Sequence, residues 1–302
     1  MPSEIPKISS QISFLYIEYA RIEQENSSII ILRKGTKTAI PLMAISCLIL
    51  GQGTTITHKA IEALQEGQCF IVWSGEQMRT FYASGMQEDR SSEHILKQSN
   101  YLSDPEKHLL VARRMYQKRF PDKDMGSMNI QRMRGAEGLR MHNLYEQKAK
   151  QYNVVWNGRV YNQDNWDDQS DINKALTVGN KLLYNVCHAA ILAMGYSPVL
   201  GFIHTGTMRS FVYDIADLYK AEIVIDTAFH LISGEYVNLE EEMRTCVREA
   251  MHKQKLLKQL SKDIPALFDE KDVESKQEGL WDGLDSVVSG GKNWSGDGSN
   301  YT

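Results

Sequence analysis

Two short stretches of this 302-residue sequence gather side chains whose types and spacing could do chemistry. Residues 204–220 read His-Thr-Gly-Thr-Met-Arg-Ser-Phe-Val-Tyr-Asp-Ile-Ala-Asp-Leu-Tyr-Lys, which sets the imidazole of His204, the carboxylates of Asp214 and Asp217 and the amine of Lys220 among small and aromatic neighbours. Residues 132–140, Arg-Met-Arg-Gly-Ala-Glu-Gly-Leu-Arg, place Glu137 among Arg132, Arg134 and Arg140. A carboxylate, imidazole and carboxylate set can hold a divalent cation, and nearby cations can hold phosphates. Together they point to metal-assisted phosphodiester chemistry on a nucleic acid.

Spacing sharpens that reading. Asp214 and Asp217 are three residues apart, so on a helix they lie on one face with their oxygens converging, and Lys220 extends the same stripe three further. His204 precedes that helix in a loop, where its ring can be pinned above the helix start. Glu137 must come from another helix, and the flanking Gly135 and Gly138 each cost ~1 kcal/mol there relative to alanine. That cost asks for a reason, such as close approach of a backbone or substrate. Oxygen ligands with one imidazole suit Mn2+ and accept Mg2+. Cys47, Cys69, Cys187 and Cys246 are widely separated and form no Cys-x-x-Cys pair, which argues against a thiolate zinc site or a disulfide framework. Arg134, Arg140 and Lys220 are candidates to neutralise phosphates. The bland alternatives are a solvated Asp-x-x-Asp face, a structural histidine, Tyr184 as core packing, and Tyr19 and Tyr161 as sheet cover.

The elements that must position these groups divide the chain into an α+β protein. Short runs rich in β-branched and aromatic residues at 12–17, 28–32, 38–40, 45–50, 69–73 and 79–83 predict strands, punctuated by Gly35, Gly51, Gly53 and Gly75. One helix over 57–66, ended by Gly67, interrupts them. From Asp104 the apolar period changes to about 3.6. Asp104-Pro105 opens a helix that runs to Pro121, and further helices are expected over 129–151, 171–194, 210–220 and 239–267. Asn157-Gly158 between two β-prone runs predicts a hairpin over 154–161. The expected organisation is a small β domain with one helix at 1–88, a larger all-α domain carrying the hairpin at 89–268, and an acidic, flexible tail at 269–302.

Net charge is −4 overall, yet residues 105–160 contain 12 Lys or Arg against 5 Asp or Glu, and residues 263–302 contain 3 Lys against 9 Asp or Glu. The basic segment can follow a phosphate backbone because binding responds to the local field. No apolar run approaches the roughly 20 residues of a membrane helix, and residues 1–7 lack the apolar core of a signal peptide, so a cytoplasmic protein is expected.

At these residues the chain resembles the CRISPR-associated integrase, the larger of the two universal spacer-acquisition proteins, and most of all its type I-E branch. The anchors are Phe-Ile-His-Thr-Gly at 202–206, Ser-Phe-Val-Tyr-Asp-Ile-Ala-Asp at 210–217 and Arg-Gly-Ala-Glu-Gly at 134–138, with Trp156-Asn157-Gly158-Arg159 as a further match. The resemblance runs from about residue 12 to 230. It implies a homodimer, with two such dimers bridged by a small companion protein into a heterohexamer. It implies a metal triad of Glu137, His204 and Asp217, with Asp214 alongside. The implied reaction is transesterification: the 3'-hydroxyl of a captured DNA fragment attacks the CRISPR repeat, and metal-dependent endonuclease activity uses the same centre. Tyr19 matches a wedge that splays duplex ends, and Tyr161 and Tyr184 match aromatics around the fragment's overhang. Relatives often carry Lys-Pro after His-Thr-Gly, whereas this chain has Thr207-Met208 and Arg209 as the nearest cation. A non-catalytic DNA-capture scaffold and a phosphoesterase of small substrates are the rival readings. Trp281 and Trp294 mark the tail as a docking element for the companion or a cover for the DNA pocket.

Overall fold

The computed structural model describes residues 14–85, 91–121, 125, 128–160 and 168–268, together with two short strands beyond them. Two four-stranded sheets come first. Strands β1 (Phe14–Ile17), β2 (Arg21–Glu25), β3 (Ser28–Arg33), β4 (Thr36–Pro41), β5 (Cys47–Leu50), β6 (Thr55–Ile56), β7 (Phe70–Ser74) and β8 (Phe81–Gly85) surround helix α1 (His58–Glu66). One sheet runs β1-β5-β7-β8, parallel except for β8; the other runs β4-β3-β2-β6, antiparallel except for the β2-β6 pair. The β2-β3 and β3-β4 hairpins turn through left-handed Asn26 (φ 55°) and Gly35 (φ 77°). Strands β2 and β6 had no counterpart in the sequence pattern, because Arg-Ile-Glu-Gln-Glu contributes one buried side chain, Ile22.

Strands β5 and β7 are buried on both faces, which explains their unbroken apolar runs. Leu48, Leu50 and Ile71 join Ile17, Ile22, Ile29 and Leu64 in one core, while Cys47, Ile49, Phe70 and Val72 face the helices. Residues 14–268 therefore belong to one compact unit. The 88/89 boundary itself lies outside the described residues.

The helices are α2 (Glu93–Ser103), α3 (Pro105–Arg119), α4 (Ile130–Tyr152), α5 (Asp171–Ala193), α6 (Ser210–Ala216), α7 (Asp226–Ile232), α8 (Leu239–Lys253) and α9 (Leu256–Ala266). Capping follows the residues: Asp104 accepts the Glu106 and Lys107 N–H groups at 2.9 and 3.1 Å, Asn129 accepts that of Arg132 at 2.9 Å, and Thr57 accepts that of Ala60. Helix α5 is the buried axis of this half. At Gly179 an added Cβ would lie 2.7 Å from Met243 Cε and 2.8 Å from Val224 Cγ1, so the glycine sets how closely α5 and α8 pack.

Four expectations change. Helix α2 was hidden because its core-facing residue is polar: Gln98 is fully buried, donating to the Ser197 and Leu200 carbonyls at 3.0 and 2.9 Å and accepting from the Ser197 N–H at 2.8 Å. The helix expected over 239–267 breaks in two at left-handed Lys255 (φ 52°). The helix expected over 210–220 stops at Ala216, and after a turn the chain widens into a π-helical stretch at Ala221–Ile225. No strand forms over 154–160. There Trp156 stacks on Tyr145 with centroids 4.7 Å apart, and Asn173 of α5 bonds the Val160 N–H and the Gly158 carbonyl, taking the place of a partner strand. The four cysteines are free thiols, three of them buried, as expected.

Residues 269–302 form a second unit. Within it β9 (Gly279–Trp281) pairs antiparallel with β10 (Val287–Ser289), elements its acidic composition did not signal. No helix among the described residues is long and apolar enough to cross a membrane.

Candidate active site and nucleic-acid interface

The loop before α6 is wrapped around one buried carboxylate. Asp214 Oδ2 accepts the Phe202 and Ile203 backbone N–H groups at 2.6 and 3.1 Å, and Oδ1 accepts that of His204 at 2.8 Å. Oδ1 also lies 2.8 Å from His204 Nδ1. With Nδ1 committed to the carboxylate, Nε2 is the nitrogen left to act, and it faces Asp217 Oδ2 at 3.8 Å. Asp214 thus points into the protein, and the expected convergence of Asp214 and Asp217 is corrected: the two acids address opposite nitrogens of one ring. Lys220 does extend the Asp217 stripe, with Nζ 3.7 Å from Asp217 Oδ1.

Glu137 enters from α4. Its Oε1 lies 3.7 Å from Arg140 and 3.9 Å from Arg119, and its Oε2 is buried with no hydrogen-bond partner. Burial outweighs these cations and pushes its carboxyl above the usual carboxylate range. Arg119, at the end of α3, also lies 3.9 Å from Asp217. The three expected ligands are therefore not gathered directly: His204 and Asp217 face each other, and Glu137 is reached from Asp217 through the Arg119 guanidinium. Among the described residues no three His, Cys, Asp or Glu side chains stand close enough to hold an ion as they are. The donor chemistry nonetheless fits a hard divalent cation, since the set offers an orphaned carboxylate oxygen, an imidazole nitrogen and a second carboxylate, and no thiolate.

His204 and Asp217 line a cleft of about 570 Å3 with Arg159, Thr177, Asn180, Lys181, Tyr184, Arg209, Tyr213 and Lys220. Four cations against one acid give it a positive wall. Tyr184 stands edge-on to Tyr213 with centroids 5.0 Å apart, and Asn180 Oδ1 is buried without a partner. Burial raises the Tyr184 hydroxyl above its ordinary pKa, keeping the ring neutral.

The remaining expected residues divide. Arg209 and Tyr184 line the cleft. Arg140 pairs with Glu137 and lies over the Phe120 ring. Arg134 Nη2 donates to the Ile203 carbonyl at 2.5 Å, so it braces the His204 loop. Tyr19 is 60% exposed in the β1-β2 connection, against Gly53, and is not part of the cleft. Tyr161 lies outside the described residues. Among the described residues, no atom from outside the helix comes within 4 Å of a Cβ added at Gly135 or Gly138, so none of them packs against the helix surface at these glycines.

As site residues, sequence reasoning missed Arg119, Arg159, Thr177, Asn180, Lys181 and Tyr213. A signal existed for three: Thr177, Asn180, Lys181 and Tyr184 form a polar stripe at helical spacing along a largely apolar helix. Arg119 carried none, being one of several basic residues in 113–119.

Residues 14–123 and 117–262 match the family described as CRISPR associated protein Cas1. The CRISPR-associated endonuclease Cas1 2 of Thermus thermophilus is 38% identical over 304 residues, covering 97% of this chain and 93% of that protein. The CRISPR-associated endonuclease Cas1 of a Clostridium species is 37% identical, covering 96% and 98%. In three dimensions the fold is similar to the crystal structure of a TtCas1-DNA complex, with a TM-score of 0.79 and 39% identity over 88% of this chain and 99% of that one. The chain belongs to the Cas1 family of CRISPR-associated endonucleases.

Proposed function

We propose that this protein is the integrase of CRISPR adaptation, of the type I-E branch, joining captured DNA to the repeat by metal-dependent transesterification. The 3'-oxygen of the fragment forms a new bond to a repeat phosphorus as the repeat's own P–O3' bond breaks, so one phosphodiester replaces another and the leaving 3'-oxygen takes up a proton. Glu137, His204 and Asp217 would hold Mg2+ or Mn2+, which when bound supplies a Lewis acid at the phosphoryl oxygen. Asp214 holds His204 in the tautomer with Nε2 open. Lys181, Arg209 and Lys220 receive phosphates along the cleft wall. Tyr184 offers a ring for a base to stack on, with Tyr161 as a second and Tyr19 as the duplex wedge.

The observation that carries the reading is the His204–Asp217 pair at a cationic cleft, with the far side of the imidazole fixed by a buried carboxylate. Its test is an assay with labelled forked DNA and a supercoiled repeat plasmid in Mn2+ or Mg2+. Joined product supports it, and intact DNA in every condition opposes it. A second reading, DNA capture without chemistry, draws on Arg119 standing between the acids; a shifted forked DNA that is never joined or cut would favour it.

Assembly follows the same proposal: a cytoplasmic homodimer, two of which sit on a companion dimer as a heterohexamer, with residues 269–302 docking the companion or covering the DNA pocket. Phe268 is buried among Tyr196, Phe202 and Phe211, so truncation belongs after Phe268. Unchanged complex formation and fragment selection by that truncation would remove the tail from the account.

A further inference from the structure

Arg119 belongs to no motif of the sequence, yet it sits at the centre of the site. Its side chain is 2% exposed. One terminal nitrogen lies 3.9 Å from Glu137 Oε1 and the other 3.9 Å from Asp217 Oδ2. The second also donates to the Asp214 carbonyl at 3.2 Å, the ring of Tyr116 lies 5.2 Å from the guanidinium carbon, and Nε is buried without a partner. Separations of 3.9 Å exceed hydrogen-bond reach, so the guanidinium compensates both carboxylates without bonding to either. Arg140 and Lys220 each approach one of these acids, at 3.7 Å, and both are more exposed. Among the described ion pairs, Arg119 is the cation that joins the two acids. Without it the two carboxylates would repel, and their partial burial would add to that cost.

We infer that Arg119 is a resident counter-ion that holds the Glu137 and Asp217 carboxylates in place before a divalent cation arrives and is relieved of that role when the cation binds. This rests on the metal reading proposed above. It makes Arg119 a positioning residue. It also explains how three donors can be poised without standing close enough to hold an ion: a guanidinium spans more space than a bare cation, and its weak interactions leave the orphaned Glu137 Oε2 available.

The test is thermal unfolding of the full chain with and without Mn2+. Arg119→Met keeps most of the volume and removes the charge. Without metal it should melt about 5 °C or more below the parent protein. Saturating Mn2+ should raise its melting temperature by clearly more than it raises that of the parent. Arg119→Lys, with a single point charge, should fall between. Adding Glu137→Gln to Arg119→Met should recover much of the metal-free loss; if Arg119→Met alone shows no cooperative transition, its return in the double variant supports the inference and its absence overturns it. An equal deficit with and without Mn2+ would make Arg119 a packing residue only and overturn the inference alone. A Mn2+ shift of the parent that survives Glu137→Gln unchanged would place the ion elsewhere, overturning both this inference and the metal reading.

Discussion

Asp214 Oδ1 is shared at 2.8 Å by the backbone N–H and the ring Nδ1 of the same residue, His204. One oxygen therefore fixes both where the residue sits and which way its ring faces. Because Asp214 is fully buried, it acts on the site through His204 and touches nothing in the cleft.

Asp214→Asn and His204→Ala should accordingly separate stability from function. The amide would turn an NH2 group toward donors and remove a buried charge that satisfies three backbone groups. Urea unfolding should show a loss of about 2–4 kcal/mol. His204→Ala leaves those backbone bonds in place and should cost less than about 1.5 kcal/mol, while strand joining is lost. Equal destabilisation by the two would contradict the division of roles.

The cationic wall sets a salt dependence. Removing Lys181 or Arg209 by alanine should weaken forked-DNA binding and lower the slope of log K against log salt by about 1 for each phosphate that the variant no longer neutralises. Titrations between low and moderate salt read this directly. An unchanged slope in both variants would remove the cleft from the DNA path and favour a small phosphoester as substrate.

His188 gives a pH dependence unrelated to the metal. Burial, with Arg209 second, lowers its pKa from 6.5 to about 4, and its ring stacks on Phe81 with centroids 4.1 Å apart. The native state keeps it neutral while the unfolded state takes a proton below about 6.5. Its contribution is whole above that value and is lost as pH falls toward 4, by up to about 3 kcal/mol. His188→Gln should flatten the stability profile across that window. A profile parallel to the parent's would contradict the burial argument.

Much of this arrangement was legible in the sequence because local chemistry specified it. Asp104-Pro105 opens α3 as expected, with Asp104 capping it, and β5 and β7 stand where β-prone runs were read at 45–50 and 69–73. What stayed hidden depended on tertiary partners. The Asp214 side chain turns inward because the 202–204 backbone offers three donors, which no spacing rule reveals. Residues 154–160 form no hairpin because Asn173 and the Tyr145 ring compete for them. Gln98 broke the apolar stripe of α2 because its partners lie about a hundred residues away. Arg119 was unreadable for a related reason: its role is defined by two acids from other elements.

Glu137, His204 and Asp217 are proposed to act as one catalytic set on bound DNA. The most direct measurement compares half-site integration and forked-DNA affinity for Glu137→Ala, His204→Ala and Asp217→Ala, in Mn2+ and with the companion protein present. Joining should fall by at least about a thousandfold in each, with affinity within a few-fold of the parent. Full-rate joining by any one of the three would contradict the assignment.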